Sequence, residues 1–227
     1  MKISGLQKMT LLDYPGKIAC TVFLSGCNFR CPFCHNASLV NATNLPEYEE
    51  EEVLAFLKKR QGILEGVCIT GGEPLIHPDL PEFIRKVKEL GYKVKLDTNG
   101  SFPLRLKALM DENLLDYVAM DVKNSFPKYP LTTGCENINT QDIEKSIALL
   151  LENRVPYEFR TTVTNELHTK EDILSVASLI KGAEKYFIQN FVDSGDILEE
   201  GMHPVAQNEI EKMAKIAQNI VPNTKIR

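Results

Sequence analysis

Residues 67–100 read VCITGGEPLIHPDLPEFIRKVKELGYKVKLDTNG. The stretch opens on one strand-like run, Val67–Thr70, and closes on another, Lys93–Asp97. Runs of this kind, near-continuous in apolar and β-branched residues, suit parallel strands covered on both faces. Between them Leu80, Phe83, Ile84, Val87 and Leu90 recur at helical spacing. Asp79, with Glu82 three residues on, predicts the start of that helix, and Gly91 its stop. Strand, helix, strand over this length is one βαβ unit.

The alternation continues in both directions. Strand-like runs lie at Ile18–Leu24, Tyr117–Asp121, Tyr157–Thr162 and Tyr186–Phe191. Helical patterns begin at Thr140, through Ile143, Ile147, Leu150 and Leu151, and at Thr169, through Ile173, Val176, Ala177 and Ile180, with Gly182 as the stop. The acidic run Glu47 and Glu49–Glu52 opens a helix that ends in Lys58, Lys59 and Arg60. Both charge groups complement the helix dipole there, so the run reads as a solvated face rather than a binding tail.

Six strand–helix alternations predict an α/β fold with a parallel sheet. A closed eight-unit barrel takes about 250 residues. This chain has 227 and shows six units, so a partial, open (β/α)6 barrel of parallel strands is expected, with a doubly wound sheet as runner-up. From Asp193 onward one helix, Pro204–Ile220, is predicted as a short C-terminal extension. No linker divides the chain, and one domain over 1–227 is expected, its core about 18–192 and its extension 193–227.

Composition narrows the function classes. With 43% hydrophobic and 25% charged residues the chain reads as globular, neither disordered nor fibrous. No apolar run reaches the ~20 residues of a membrane helix, so no membrane partner is expected. No apolar signal segment shows in the first seventeen residues, and the expected compartment is the cytoplasm. A net charge of -5 argues against a nucleic-acid partner.

In a reducing compartment cysteines are more often metal ligands, catalytic thiols or buried residues than disulfides. Of the six, Cys20, Cys68 and Cys135 stand alone and read as buried small hydrophobes. Cys27, Cys31 and Cys34 lie within eight residues, directly after a strand. Three thiols in one loop suit a metal centre with an open ligand position, and an open position makes a site reactive rather than structural. A zinc site with His35 as fourth ligand is the other reading, although adjacent side chains such as Cys34 and His35 diverge. Taken alone, the cysteines leave zinc and iron–sulfur comparable.

Polar residues gather where barrel enzymes keep their chemistry, at the C-terminal ends of the strands. The cysteines follow the first predicted strand and Gly71-Gly72-Glu73-Pro74 the second. Asp97-Thr98-Asn99-Gly100 closes the third, and Asp121-Val122-Lys123 the fourth. Arg160 lies in the fifth, and Gln189 with Asn190 near the end of the sixth. Two glycines after a strand let backbone approach a ligand, and Glu73 is an acceptor for a ligand ammonium. Asp97, Thr98 and Asp121 offer hard oxygen ligands to a small cation. Salt-bridge partners within the barrel account equally well for Asp97, Asp121 and Lys123. Arg160 offers a planar fork to a carboxylate or to peptide carbonyls, or pairs with a neighbouring acid. His77, His168 and His203 sit beside turns and read as surface loop residues.

The spacing Cys27-x3-Cys31-x2-Cys34, with Phe33 before the last cysteine, resembles the signature of the radical S-adenosylmethionine (SAM) superfamily. The resemblance spans nearly the whole chain and implies a partial or full (β/α) barrel. It implies a [4Fe–4S] cluster on the three cysteines, its fourth iron chelated by SAM. The reduced cluster then splits the S–C5′ bond to give methionine and a 5′-deoxyadenosyl radical. Gly71-Gly72-Glu73-Pro74 resembles the family motif that meets the SAM amino group, and His35 falls where the family places the nucleotide. Glycyl-radical activases of the pyruvate formate-lyase type are similar in their Asp-Thr and Asp-x-Lys arrangement. This implies a monovalent cation near Asp97, Thr98 and Asp121, with Lys123 facing the SAM carboxylate; Asn99, Arg160 and Gln189 complete the implied cofactor rim.

Asp13-Tyr14-Pro15-Gly16 and the Cys34-His35-Asn36 ending resemble the segments of glycyl-radical activating enzymes. The tyrosine is similar to activases of anaerobic ribonucleoside-triphosphate reductase. The implied partners are that large reductase, which donates a glycine hydrogen, and flavodoxin or ferredoxin as electron donor. Residues 124–139, read as a long turn-rich loop, are the candidate partner surface. A small-molecule substrate, such as a deazaguanine-type ring contraction, or a different glycyl-radical partner stays open within the enzyme class. A non-catalytic zinc or iron–sulfur module is the alternative outside it.

Overall fold

The computed structural model describes residues 1–42 and 45–227. The chain divides into two compact units. The first comprises Met1–Asn28, Ser38–Thr98 and Leu104–Val118, and the second Phe29–Ala37, Asn99–Pro103 and Ala119–Arg227. Among the described residues the strands form an open α/β sheet of eight, standing in chain order.

In the first unit β1 (Ile3–Thr10) pairs antiparallel with β2 (Ala19–Leu24). The helices α1 (Ala37–Asn41) and α2 (Glu50–Lys59) follow. Next come β3 (Gly66–Gly71), α3 (Leu80–Glu89), β4 (Lys93–Thr98) and α4 (Pro103–Asp111). β2 with β3 and β3 with β4 are parallel, as the continuous apolar strands predict. Cys20, Val22, Val67, Cys68, Ile69, Val94 and Leu96 form the buried strand faces, and Phe83, Ile84 and Val87 of α3 are fully buried. The acidic first turn and basic last turn of α2 stand as expected.

β5 (Tyr117–Asp121) leads into the second unit, with α5 (Tyr129–Thr133), α6 (Thr140–Leu151), β6 (Tyr157–Val163), α7 (Lys170–Leu179), β7 (Tyr186–Asn190), α8 (Gln207–Gln218) and β8 (Thr224–Ile226). There β6 pairs parallel with β7, and β7 with β8. Thr169, where the sequence starts this helix, caps α7 in a reciprocal box with Asp172.

Several details differ from expectation. β1 carries Gln7 and Lys8 on an edge strand and lacks the continuous apolar run that marked the others. β8 is three residues long with only Thr224 buried, so the C-terminal extension is a helix and a strand. Asp79 makes no cap hydrogen bond to α3; its carboxylate pairs with the Met1 ammonium instead. Asn139, one residue before Thr140, caps α6 by accepting from the Gln141 amide. Residues 124–139 are no open loop. They hold a 3-10 turn and α5, with Asn124, Tyr129, Thr132 and Thr133 fully buried. Among the described residues no helix is long and apolar enough to cross a membrane.

Candidate active site

In the first unit the glycines after β3 are fixed by backbone. Gly71 has φ 117°, and a Cβ there would lie 2.2 Å from the Leu24 carbonyl oxygen. At Gly72 it would lie 2.0 Å from that of Gly26. The Gly72 and Glu73 amides donate to those same two carbonyls, at 2.8 and 2.9 Å. The Gly-Gly turn is thereby sewn to the segment that leads into Cys27. Glu73 is fully buried, and its Oε1 accepts from the Leu75 amide at 3.0 Å and from Thr98 Oγ1 at 2.9 Å. Thr98 and Glu73 therefore meet, as two neighbouring strand ends of one site require. Asp97 Oδ1 accepts from Lys95 Nζ, and Asp97 Oδ2 from Thr70 Oγ1 at 3.3 Å.

In the second unit the loop of Cys31 and Cys34 is a tight turn, the Cys34 amide donating to the Cys31 carbonyl at 3.0 Å. Its surroundings hold it on several sides. The Arg30 amide donates to the Thr133 carbonyl at 2.7 Å and the Glu199 amide to the Pro32 carbonyl at 3.1 Å. Phe33 meets the His168 ring edge-on at 6.1 Å, and His35 lies 5.4 Å from Phe191. Burial lowers the His35 pKa, and Lys123 lowers it further. Asn99, buried in this unit, accepts from the Ser101 amide and hydroxyl. Gln189 is half-buried on β7, opposite Thr162.

Past β5, Asp121 Oδ2 accepts from Lys123 Nζ at 2.9 Å and Oδ1 from Arg160 Nε at 2.8 Å. Burial works against the Asp121 charge, but Arg160 and Lys123 outweigh it and hold the carboxyl well below the usual range. Burial likewise opposes the Lys123 charge, yet Asp121 and the Cys31 and Cys34 thiols raise its pKa. The Lys123 charge is thus felt by Cys31 and Cys34, two of the three expected cluster ligands. Its backbone is clamped at both ends. Its amide donates to Tyr129 Oη at 3.0 Å, and its carbonyl accepts from His168 Nε2 at 2.9 Å. His168 is 4% exposed, which corrects its reading as a surface residue. Sequence reasoning missed both braces, because neither Tyr129 nor His168 belongs to a motif.

The chemistry of the thiols suits an iron–sulfur cluster. In the first unit Cys27 is half-buried; in the second Cys31 is buried and Cys34 half-buried. Burial raises the Cys34 pKa, while the nearby Lys123 charge draws it down. Among the described residues no three His, Cys, Asp or Glu side chains surround a single ion position. A cubane does not need that, since each cysteine binds a different iron. In the first unit the Ser25 hydroxyl, one residue past β2 and two before Cys27, is buried without a hydrogen-bond partner; such a group suits a polar ligand.

In the first unit Asp97 is met by the Lys95 ammonium, and in the second Asp121 is met by Lys123 and Arg160.

Residues 21–193 match the radical SAM superfamily, and the chain belongs to that superfamily, the enzyme class its cysteine loop resembles. Within it, the chain is 35% identical to the "Putative glycyl-radical enzyme activating enzyme MJ1227" of Methanocaldococcus jannaschii, over 99% of this chain and 95% of that protein. It is 28% identical to the pyruvate formate-lyase-activating enzyme of Clostridium pasteurianum, over 93% of this chain and 86% of that one. The fold is also that of Streptococcus suis SuiB bound to precursor peptide SuiA, with TM-score 0.71 and 14% identity over 91% of this chain and 48% of that chain.

Proposed function

We propose that the chain is a glycyl-radical enzyme activating enzyme and that its partner is an anaerobic ribonucleoside-triphosphate reductase. The observation that carries activation is the end-to-end likeness to the methanogen protein of that name. The finer reading is supported by Asp13-Tyr14-Pro15-Gly16 and by the Cys34-His35-Asn36 ending. Asp13 accepts from Thr21 Oγ1 of β2 at 2.5 Å, and Tyr14 is buried against Tyr117. The segment is therefore part of the frame beneath β2.

Bound together and reduced by one electron, the [4Fe–4S] cluster and SAM supply hydrogen-atom abstraction, and the protein contributes placement and exclusion of water. Cys27, Cys31 and Cys34 would hold three irons. Gly71, Gly72 and Glu73 would line the amino end of SAM, and the Lys123 ammonium would receive its carboxylate. His35, Asn99, Arg160 and Gln189 would complete the rim, with Asp97 and Thr98 fixed behind it. Phe33, buried against His168, would shield the cluster loop from water. Flavodoxin or ferredoxin would supply the electron, in the reducing cytoplasm.

The test is anaerobic reconstitution with iron and sulfide, followed by SAM, a reductant and the reductase. About four irons per chain, a glycyl-radical signal on the reductase, and deuterium passing from labelled glycine to 5′-deoxyadenosine are expected. A radical raised on a different glycyl-radical enzyme, but not on the reductase, would reject the partner. One tightly held zinc and no response to SAM would reject the enzyme reading.

A further inference from the structure

Lysine is rarely buried in a strand unless another group meets its charge. Lys95, in the middle of β4, has a side chain only 2% exposed. Alternation along the strand puts Lys95 and Asp97 on one face, and Lys95 Nζ donates to Asp97 Oδ1. The parallel register sets Cys68 of β3 opposite Lys95. Nζ stands 3.7 Å from Cys68 Sγ, and that sulfur lies 3.9 Å from Asp97 Oδ1. Thr70 Oγ1 donates to the second carboxylate oxygen at 3.3 Å. Ammonium, carboxylate, thiol and hydroxyl thus form one cluster where two neighbouring strands end.

We propose that the Lys95 ammonium is the resident cation of this strand end, and that the chain requires no monovalent metal ion there. Lys95 is a positioning residue. It fixes the Asp97 carboxylate, and through it the turn Thr98-Asn99 that follows. A mobile ion has to be bound anew from solution, whereas a lysine tethered two residues away is present in every copy of the folded chain. The consequence for SAM rests on the proposed function, because it takes this strand end as part of the SAM site. The cluster itself is a property of the folded chain.

The experiment compares potassium, sodium and tetramethylammonium chlorides at equal ionic strength, reading the thermal midpoint and the SAM dissociation constant of reconstituted protein. The wild type is expected to keep one midpoint, and a SAM affinity within twofold, in all three salts. Lys95→Met is expected to lose stability in tetramethylammonium and to regain at least half of the loss in sodium or potassium. A bare ion enters the vacated position and the bulky organic cation does not. Lys95→Met with Asp97→Asn removes both charges and is expected to fold and ignore the choice of salt. If the single variant fails to fold, wild-type indifference together with the folded, indifferent double variant carries the proposal. A tenfold or greater gain in wild-type SAM affinity on replacing tetramethylammonium with potassium or sodium overturns it. So does a Lys95→Met protein as stable as wild type, or one destabilised equally in every salt. Failure to bind SAM in any salt rejects the proposed function instead, and the midpoints still decide the role of Lys95.

Discussion

β4 and β5 both bring an aspartate to their C-terminal ends, and the two are neutralised in different ways. Asp97 is met by Lys95, two residues earlier on the same strand, with a side chain 2% exposed. Asp121 is met by Lys123, two residues later and past the end of β5, and by Arg160 of the neighbouring β6. There Lys123 is 16% and Asp121 28% exposed. A lysine inside a strand is locked by ladder and packing. A lysine beyond the strand sits on a short connection whose backbone has to be pinned, here by Tyr129 and His168. The first pair is sealed framework, whereas the second keeps a charge within reach of a ligand anion.

The largest expected effect separates thiols of the two regions. Cys31 influences the reachable Lys123, whereas Cys68 belongs to the sealed pair. Cys31→Ala should abolish cluster assembly, and Cys68→Ala should leave iron content unchanged after anaerobic reconstitution. Equal losses would break the distinction. Glycines sharpen it next. Gly71→Ala puts a methyl against the Leu24 backbone, which cannot swing aside, and should cost about 4 kcal/mol or more in denaturant unfolding. Gly100→Ala meets only the mobile tip of Met120 at φ 77° and should cost about 1–2 kcal/mol.

What the sequence disclosed follows the same division. The strands β3, β5 and β6 were legible because buried parallel strands are written in apolar and β-branched residues on both faces. The cysteine loop and the Gly-Gly turn were legible because each is contiguous. Lys95 was not, since lysine in a strand ordinarily signals an exposed position, and only the register with Cys68 reveals its burial. Cys68 read as a plain buried residue for the same reason. His168 read as a loop histidine because its place depends on the Lys123 carbonyl, 45 residues away in the chain. Edge strand β1 escaped because Gln7 and Lys8 interrupt its apolar residues.

Removing each lysine tests the comparison directly. Lys95→Met leaves the half-buried Asp97 unmatched by its ammonium, and should cost about 3 kcal/mol of folding stability in a low-salt buffer of large organic cations. Lys123→Met leaves Asp121 its Arg160 partner in a partly exposed pair, so about 1 kcal/mol is expected. SAM affinity should invert the order, with Lys123→Met weakening binding about tenfold, the loss of ~1.4 kcal/mol from one charge-assisted contact. Equal stability losses, or an unchanged affinity in Lys123→Met, would erase the difference between the two regions.

The smallest effect is a pH dependence that resides in the brace of Lys123. His168 Nδ1 accepts from the Thr164 amide at 3.1 Å, and Nε2 faces the Lys123 carbonyl at 2.9 Å. The ring is therefore neutral, with its hydrogen on Nε2, and burial lowers its pKa below the ordinary 6.5. In the unfolded chain the imidazole takes up a proton as pH falls through about 6.5. The folded state resists that proton until a lower pH, so His168 contributes stability that is complete above about pH 6.5 and is lost below it. Protonation also removes the acceptor that the Thr164 amide uses. Between pH 7.5 and 5.5 this should cost about 1 kcal/mol, read from urea unfolding at each pH. His168→Gln keeps a donor for the Lys123 carbonyl and does not titrate, so its unfolding free energy should change less over the same interval. Some slope remains in the variant, because burial also lowers the pKa of His35 and His77. An identical slope in wild type and His168→Gln would show that the brace carries no proton-linked stability.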